Sequence, residues 1–158
     1  MARKILTEHI NVPGIETFEV YRKQGGYTAV EKALKTMTSE EVVEEAKKSG
    51  IRGRGGAGFP MGMKWGFLAK PEGVPRYLVC NADESEPGTF KDHHLMKSIP
   101  HLLIEGMIVS SYALGANKSF IYVRGELIYV KKKKKKAIAE ATANGFLGKN
   151  ILGTGYDL

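Results

Sequence analysis

Residues Ile51–Phe67 read IRGRGGAGFPMGMKWGF. Gly53, Gly55, Gly56, Gly58 and Gly62 stand here around Arg54, Phe59 and Lys64. Glycine has no Cβ, so its backbone takes positive φ and lets a flat ligand come close. Successive N–H groups in such a loop form an anion-binding nest. Arg54 and Lys64 bring charge suited to a phosphate. The spacing is not the dinucleotide fingerprint G-x-G-x-x-G placed straight after a strand, and the G-K-[ST] ending of a P-loop is missing. On local composition the choice lies between an anion-binding loop and a flexible RGG-like linker.

The flanks narrow that choice. Upstream, Thr38 and Glu41 fit a capping box, Val42, Val43 and Ala46 face inward, Glu44 pairs with Lys48, and Gly50 ends the helix. The loop therefore follows a helix, not a strand. Before it, Thr28 and Glu31 repeat the capping device, giving a short helix to about Lys35 with Ala29, Val30, Ala33 and Leu34 on its apolar face. Met1 to Phe18 reads as irregular, with a turn at Pro13 and Gly14.

Downstream, Trp65, Phe67 and Leu68 are expected to dock the far end of the loop, and Pro71 to Pro75 forms a turn. Tyr77 to Ala82 has strand character and delivers Asn81 at its end. The loop from Asp83 to Thr89 then lies at a strand's carboxyl end, a usual place for ligand contacts in α/β sheets. Leu102 to Leu114 is apolar nearly all round, which predicts a buried helix opened by Pro100 and stopped by Gly115. Ser119 to Val123 predicts a second strand. Glu126 to Ala143 predicts a helix with Leu127, Val130, Ala137, Ile138 and Ala141 on its inner stripe. Lys134 falls on that stripe, and the lysine run around it is expected to snorkel to the surface. The fold class is α/β, helices packed on a small sheet.

The chain has 158 residues, 42% hydrophobic and 26% charged, ordinary values for one globular domain. Its net charge of +7 falls to +1 when the six lysines of Lys131–Lys136 are set aside, so the basic balance is weak evidence for a nucleic-acid partner. Cys80 stands alone. It cannot form an internal disulfide or by itself hold an iron–sulfur cluster or zinc, and it reads as a buried strand cysteine. Met1 to Asn11 lacks the apolar core of a secretory signal, and Leu102 to Leu114 is too short to span a bilayer, so a cytoplasmic protein is expected. His93 and His94 are neighbours and would diverge on a helix, a poor metal pair; with His101 they read as structural or surface residues. Ser85 and Ser110 lack base and acid partners, which argues against a hydrolase triad.

Tyr77–Asp92 reads YLVCNADESEPGTFKD. Together with GRGGAGFPMGMKW it resembles the NADH-binding flavoprotein subunit of respiratory complex I, the NuoF family of NADH-quinone oxidoreductase, along nearly the whole chain. Met61 departs from the family pattern, which has Thr there. The resemblance implies the N-terminal part of an FMN-binding α/β domain: residues 1–36 as an N-terminal segment with its short helix, and 37–158 as the FMN- and NADH-binding domain, incomplete at its C-terminal end.

By that resemblance FMN is held by Gly53, Arg54, Gly55, Gly56, Lys64, Asn81, Asp83 and Glu84. NADH is met by Phe59, Phe67 and Glu86, the phenylalanines offering ring faces. The activity implied is hydride transfer from NADH to FMN, then electron transfer through iron–sulfur clusters to quinone. It needs a flat slot and positioning groups rather than a general base, because the organic chemistry belongs to the cofactors. The family continues with a GAYICGEET stretch that completes the FMN site, then with cysteines for a [4Fe–4S] cluster. Neither lies in this chain, so the resemblance implies an N-terminal piece inactive by itself. It also implies peripheral-arm partners, notably a [2Fe–2S] subunit, with membrane contact only through the complex. Two rivals remain. One is the diaphorase subunit of an NAD-linked hydrogenase or formate dehydrogenase. The other is a nucleic-acid-binding module using RGRGG and the lysines, in which ADESEPGT would have no role.

Overall fold

A computed structural model describes residues 4–69 and 73–158. Within them, seven helices and two strands follow in the order α1 (Phe18–Lys23), α2 (Thr28–Thr36), α3 (Ser39–Lys48), α4 (Met61–Gly66), β1 (Tyr77–Asn81), α5 (Lys91–Ser98), α6 (Pro100–Leu114), β2 (Lys118–Tyr122) and α7 (Ile128–Ala143). A short 3-10 turn, Ile151–Gly153, comes last.

The strands pair in parallel, Tyr77 against Lys118 through Asn81 against Tyr122. Parallel pairing needs a crossover, and α5 with α6 supplies it. Helix α6 is the central element, packed against α2, α3, α5, α7 and both strands. Its sequence is apolar nearly all round because almost every side has a neighbour. Pro100 opens it, and Gly115 closes it with φ +66°. One core joins Tyr21, Tyr27, Val30 and Leu34 to Ile104, Ile108, Ala137, Phe146 and Ile151.

A buried polar chain ties three helices inside this core. His101 is fully buried. Its Nε2 lies 3.0 Å from Glu140 and its Nδ1 2.8 Å from the Tyr27 hydroxyl. Burial pushes the imidazole towards its neutral form, against the pull of Glu140. A carboxylate only accepts, so Nε2 carries the proton and Nδ1 accepts from Tyr27. Glu140 also takes the Phe18 N–H at 2.9 Å, which pins the start of α1 to α7. His101 is thus structural, as expected.

Several local expectations are corrected. The Thr38–Glu41 capping box is present, but Thr28 does not cap α2: Tyr27 holds the N-cap position at φ 62° with no side-chain capping hydrogen bond, and Glu31 pairs with Arg22. Glu44 bonds Lys47, and Lys48 bonds Glu45, one residue out of the expected register. Phe67 is 70% exposed and Leu68 is exposed, so of the three expected docking residues only Trp65 packs on the core. Phe18 opens α1 and Lys91 opens α5, two helices of six and eight residues that are too short for apolar periodicity to mark. The turn expected from Pro71 begins outside the described residues. On α7, Val130, Ala137 and Ala141 are buried, Leu127 is half-buried and Ile138 is exposed. Lys134 does not snorkel: it is 4% exposed, with Nζ 3.5 Å from the Met96 sulfur. Among the described residues no helix is long and apolar enough to cross a membrane.

Candidate functional site

The glycine stretch is a closed loop. Arg52 and Pro60 form an isolated antiparallel bridge, Gly53 N–H donates to Phe59 O at 2.9 Å, and Met61 N–H donates to Ile51 O at 2.9 Å. The Arg52 side chain crosses to Gly58 O at 3.2 Å. Between these ties Gly53, Arg54, Gly55 and Gly56 stand exposed. Gly56 has φ +113° and Gly58 φ +63°, conformations that favour glycine. A Cβ placed at Gly55 or Gly56 would meet no heavy atom within 4 Å. The fold therefore leaves open the face of the loop that a flat ring would need.

Gly62 has a different role. It sits in α4, and a Cβ there would lie 2.4 Å from Lys47 N and 2.6 Å from Ala46 C. It is the contact that lets α4 lie on α3. Lys64 projects from α4 and is exposed. Phe59 and Phe67, at the two ends of this unit, come together with ring centroids 6.1 Å apart, tilted by 53°. Both rings are exposed, a pair of apolar faces left unused by the core.

The acidic loop leaves the end of β1. Asn81 Oδ1 accepts the Asp83 N–H at 3.2 Å, and the Ser85 hydroxyl donates to Asp83. Glu86 is exposed and opens a tight turn closed by Thr89 N–H donating to Glu86 O at 3.1 Å, with Gly88 at φ +79°. Glu84 points inward instead. Its side chain is 1% exposed and accepts the Asp92 N–H at 2.7 Å, the His93 N–H at 2.8 Å and the His93 ring at 2.5 Å. Burial alone would raise its pKa, but these donors hold it below the ordinary carboxylate value. Sequence reasoning missed this tie. An acid a whole loop ahead of a helix start is a faint signal, and only the turn between them shows that it reaches back.

The candidate residues thus fall into two groups. Gly53, Arg54, Gly55, Gly56, Phe59, Lys64 and Phe67 belong to the glycine unit; Asn81, Asp83, Glu84 and Glu86 belong to the acidic loop. Among the described residues no hydrogen bond or ion pair joins one group to the other. A cavity of about 700 Å³ lies elsewhere, along β2, α6 and α7, and none of these residues lines it. One of about 270 Å³ borders the strand end at Cys80 and Asn81. Burial raises the Cys80 thiol pKa, so it is no ready nucleophile. Among the described residues no cluster of acids, histidines and cysteines could hold a metal ion.

Comparison with known proteins shows the family to which the segment holding both groups belongs. The family model "Nuo51 FMN-binding domain" matches residues 46–155, which include both groups. The chain is 50% identical over 157 residues to the second NADH-quinone oxidoreductase F subunit of Rhizobium meliloti, covering 99% of this chain and 37% of that protein. It is 54% identical over 154 residues to the NADH-quinone oxidoreductase F subunit of Aquifex aeolicus, covering 98% and 36%. The chain therefore spans little more than a third of these curated relatives. Among solved structures it resembles an NAD⁺-reducing [NiFe]-hydrogenase in the air-oxidized state. There the TM-score is 0.68 at 34% identity, over 90% of this chain and 23% of that one.

Proposed function

The chain belongs to the Nuo51 FMN-binding domain family, and from that premise we propose that its two loops are walls of an FMN and NADH site in an NADH-oxidising flavoprotein subunit. The observation that carries this is the open glycine loop. Gly55 and Gly56 present bare backbone with free space before it, beside the unspent faces of Phe59 and Phe67. These features suit a flat ring and a dinucleotide, so the residues fit the cofactor. FMN, when bound, supplies the acceptor for the hydride that NADH delivers.

The chain's residues bind and orient. Gly53, Gly55 and Gly56 allow backbone contact with a flat ring, and Arg54 and Lys64 supply charge for a phosphate. Asn81 and Asp83, held in their turn, offer polar groups to the flavin edge or its hydroxyls. Glu84 belongs to this wall through the backbone it fixes, since its carboxylate is already satisfied within the chain. Phe59 and Phe67 take nucleotide rings, and Glu86 accepts from a ribose hydroxyl or the carboxamide. Onward electron transfer to quinone, a [2Fe–2S] partner subunit and a peripheral place on a membrane-bound complex belong to the same proposal, supported by the NADH-quinone oxidoreductase relatives. A diaphorase subunit of an NAD-linked hydrogenase is a second reading, favoured by the structural likeness to the NAD⁺-reducing hydrogenase. The two readings share this site and differ in the acceptor.

Glu86→Gln tests the site in a longer protein, one that carries this chain within the full length of its relatives. Removing one charged acceptor should raise the KM for NADH by roughly tenfold while the flavin-to-protein ratio stays near that of the parent. Loss of flavin with unchanged NADH kinetics would move Glu86 to the FMN wall.

A further inference from the structure

The acidic loop carries its functional groups outward on a backbone that its own chemistry would let wander. Asp83, Glu84 and Glu86 repel one another, and Glu84 sits at φ +50°, a region costly for a residue with a Cβ. One fastening overcomes both effects. The Glu84 carboxylate turns away from solvent and takes three donors from the first turn of α5: the Asp92 N–H, the His93 N–H and His93 Nδ1. The backbone donors are the unsatisfied groups that any helix start presents. The imidazole is the added part. It is largely buried, at 2.5 Å from Glu84, and Lys91 stands further off at 3.8 Å.

We propose that His93 is a positioning residue for the acidic loop: its Nδ1–H clasps Glu84, and the clasp sets where Asp83 and Glu86 stand in the nucleotide site. This rests on the FMN and NADH reading given above. His93 touches neither hydride donor nor acceptor in this account; it acts through Glu84.

Two variants separate the clasp from mere packing. His93→Leu keeps bulk but removes the donor. His93→Asn keeps a donor, because its side-chain amide nitrogen hangs from Cγ as Nδ1 does. Amide hydrogen exchange across residues 82–93 of the 158-residue chain, in dilute solution without cofactor, reads the clasp directly. His93→Leu should speed exchange at Asp92 and His93 by roughly tenfold or more, the scale of one lost hydrogen bond to a charged group, and His93→Asn should restore it. In the longer protein, His93→Leu should raise the KM for NADH by a larger factor than it lowers kcat, again with recovery in His93→Asn. Unchanged exchange in His93→Leu, or an Asn variant as impaired as the Leu variant, would overturn the proposal. Fast exchange with unaltered NADH kinetics and flavin content would overturn the positioning role. A parent protein that binds neither FMN nor NADH would instead sink the site reading, and the exchange arm would still decide the clasp.

Discussion

Gly55 and Gly62, close neighbours in the chain, show how far a residue's role departs from its type. Gly55 faces open space and has no positive φ, whereas Gly62 has α3 backbone where its Cβ would be. Gly55→Ala should therefore unfold within about 1 kcal/mol of the parent, helped by a less flexible unfolded chain. Gly62→Ala should lose about 1–3 kcal/mol through overpacking of α4 on α3. Thermal unfolding compares the two. If a flavin ring lies on the loop backbone, Gly55→Ala should also strip the yellow colour from the longer protein while leaving it folded. Equal destabilisation by both substitutions would mean that the loop is packed rather than open. Both glycines stood out in the sequence as loop residues. What separates them is the return of α4 onto α3, which no local pattern reveals.

At the scale of elements, α7 is the informative case. Val130, Lys134, Ala137 and Ala141 form one buried stripe, so Lys134 occupies a position that its neighbours make apolar. Burial lowers its pKa from the ordinary 10.5, with Cys80 pulling the other way. Below the folded value both folded and unfolded chains carry the proton, and the fold bears the full cost of a buried charge. As pH rises towards 10.5 the folded amine becomes neutral first, so stability climbs. Above that value both forms are neutral and the cost is gone. Lys134→Met should accordingly raise stability at pH 7 by about 1–3 kcal/mol, with the gain shrinking as pH approaches about 10. A pH-independent gain in denaturant titrations would assign the effect to packing instead. The sequence placed Lys134 on the stripe by periodicity. It could not show that α5 closes over it, because Met96 arrives from another part of the chain.

At the scale of the molecule, the sheet has two strands among the described residues and one covered face. Leu78, Cys80 and Ile121 turn towards the interior, while Tyr77, Val79, Phe120 and Tyr122 are between 50% and 61% exposed on the other side. The Tyr77 and Phe120 rings lie 6.1 Å apart there, and each strand has one edge unpaired among the described residues. Exposed apolar surface beside open strand edges favours self-association. The 158-residue chain should sediment as dimers or larger species at tens of micromolar, and Val79→Glu with Phe120→Lys should shift it towards monomer. A parent that stays monomeric throughout that range would remove the idea.

By itself, the sequence determined what is local or compositional. The glycine loop after a helix, the strand delivering Asn81, the Thr38 cap and the apolar α6 all follow from short-range backbone preferences and from the period of hydrophobic residues. The paired motifs determined the family for the same reason, since each is contiguous. Only the tertiary structure decided which acid faces inward, which glycine is packed and which lysine is buried. Those outcomes depend on what crosses over from distant segments: α5 onto Glu84 and Lys134, α3 onto Gly62. Burial is a property of neighbours, and the neighbours of these three residues are brought to them by the fold.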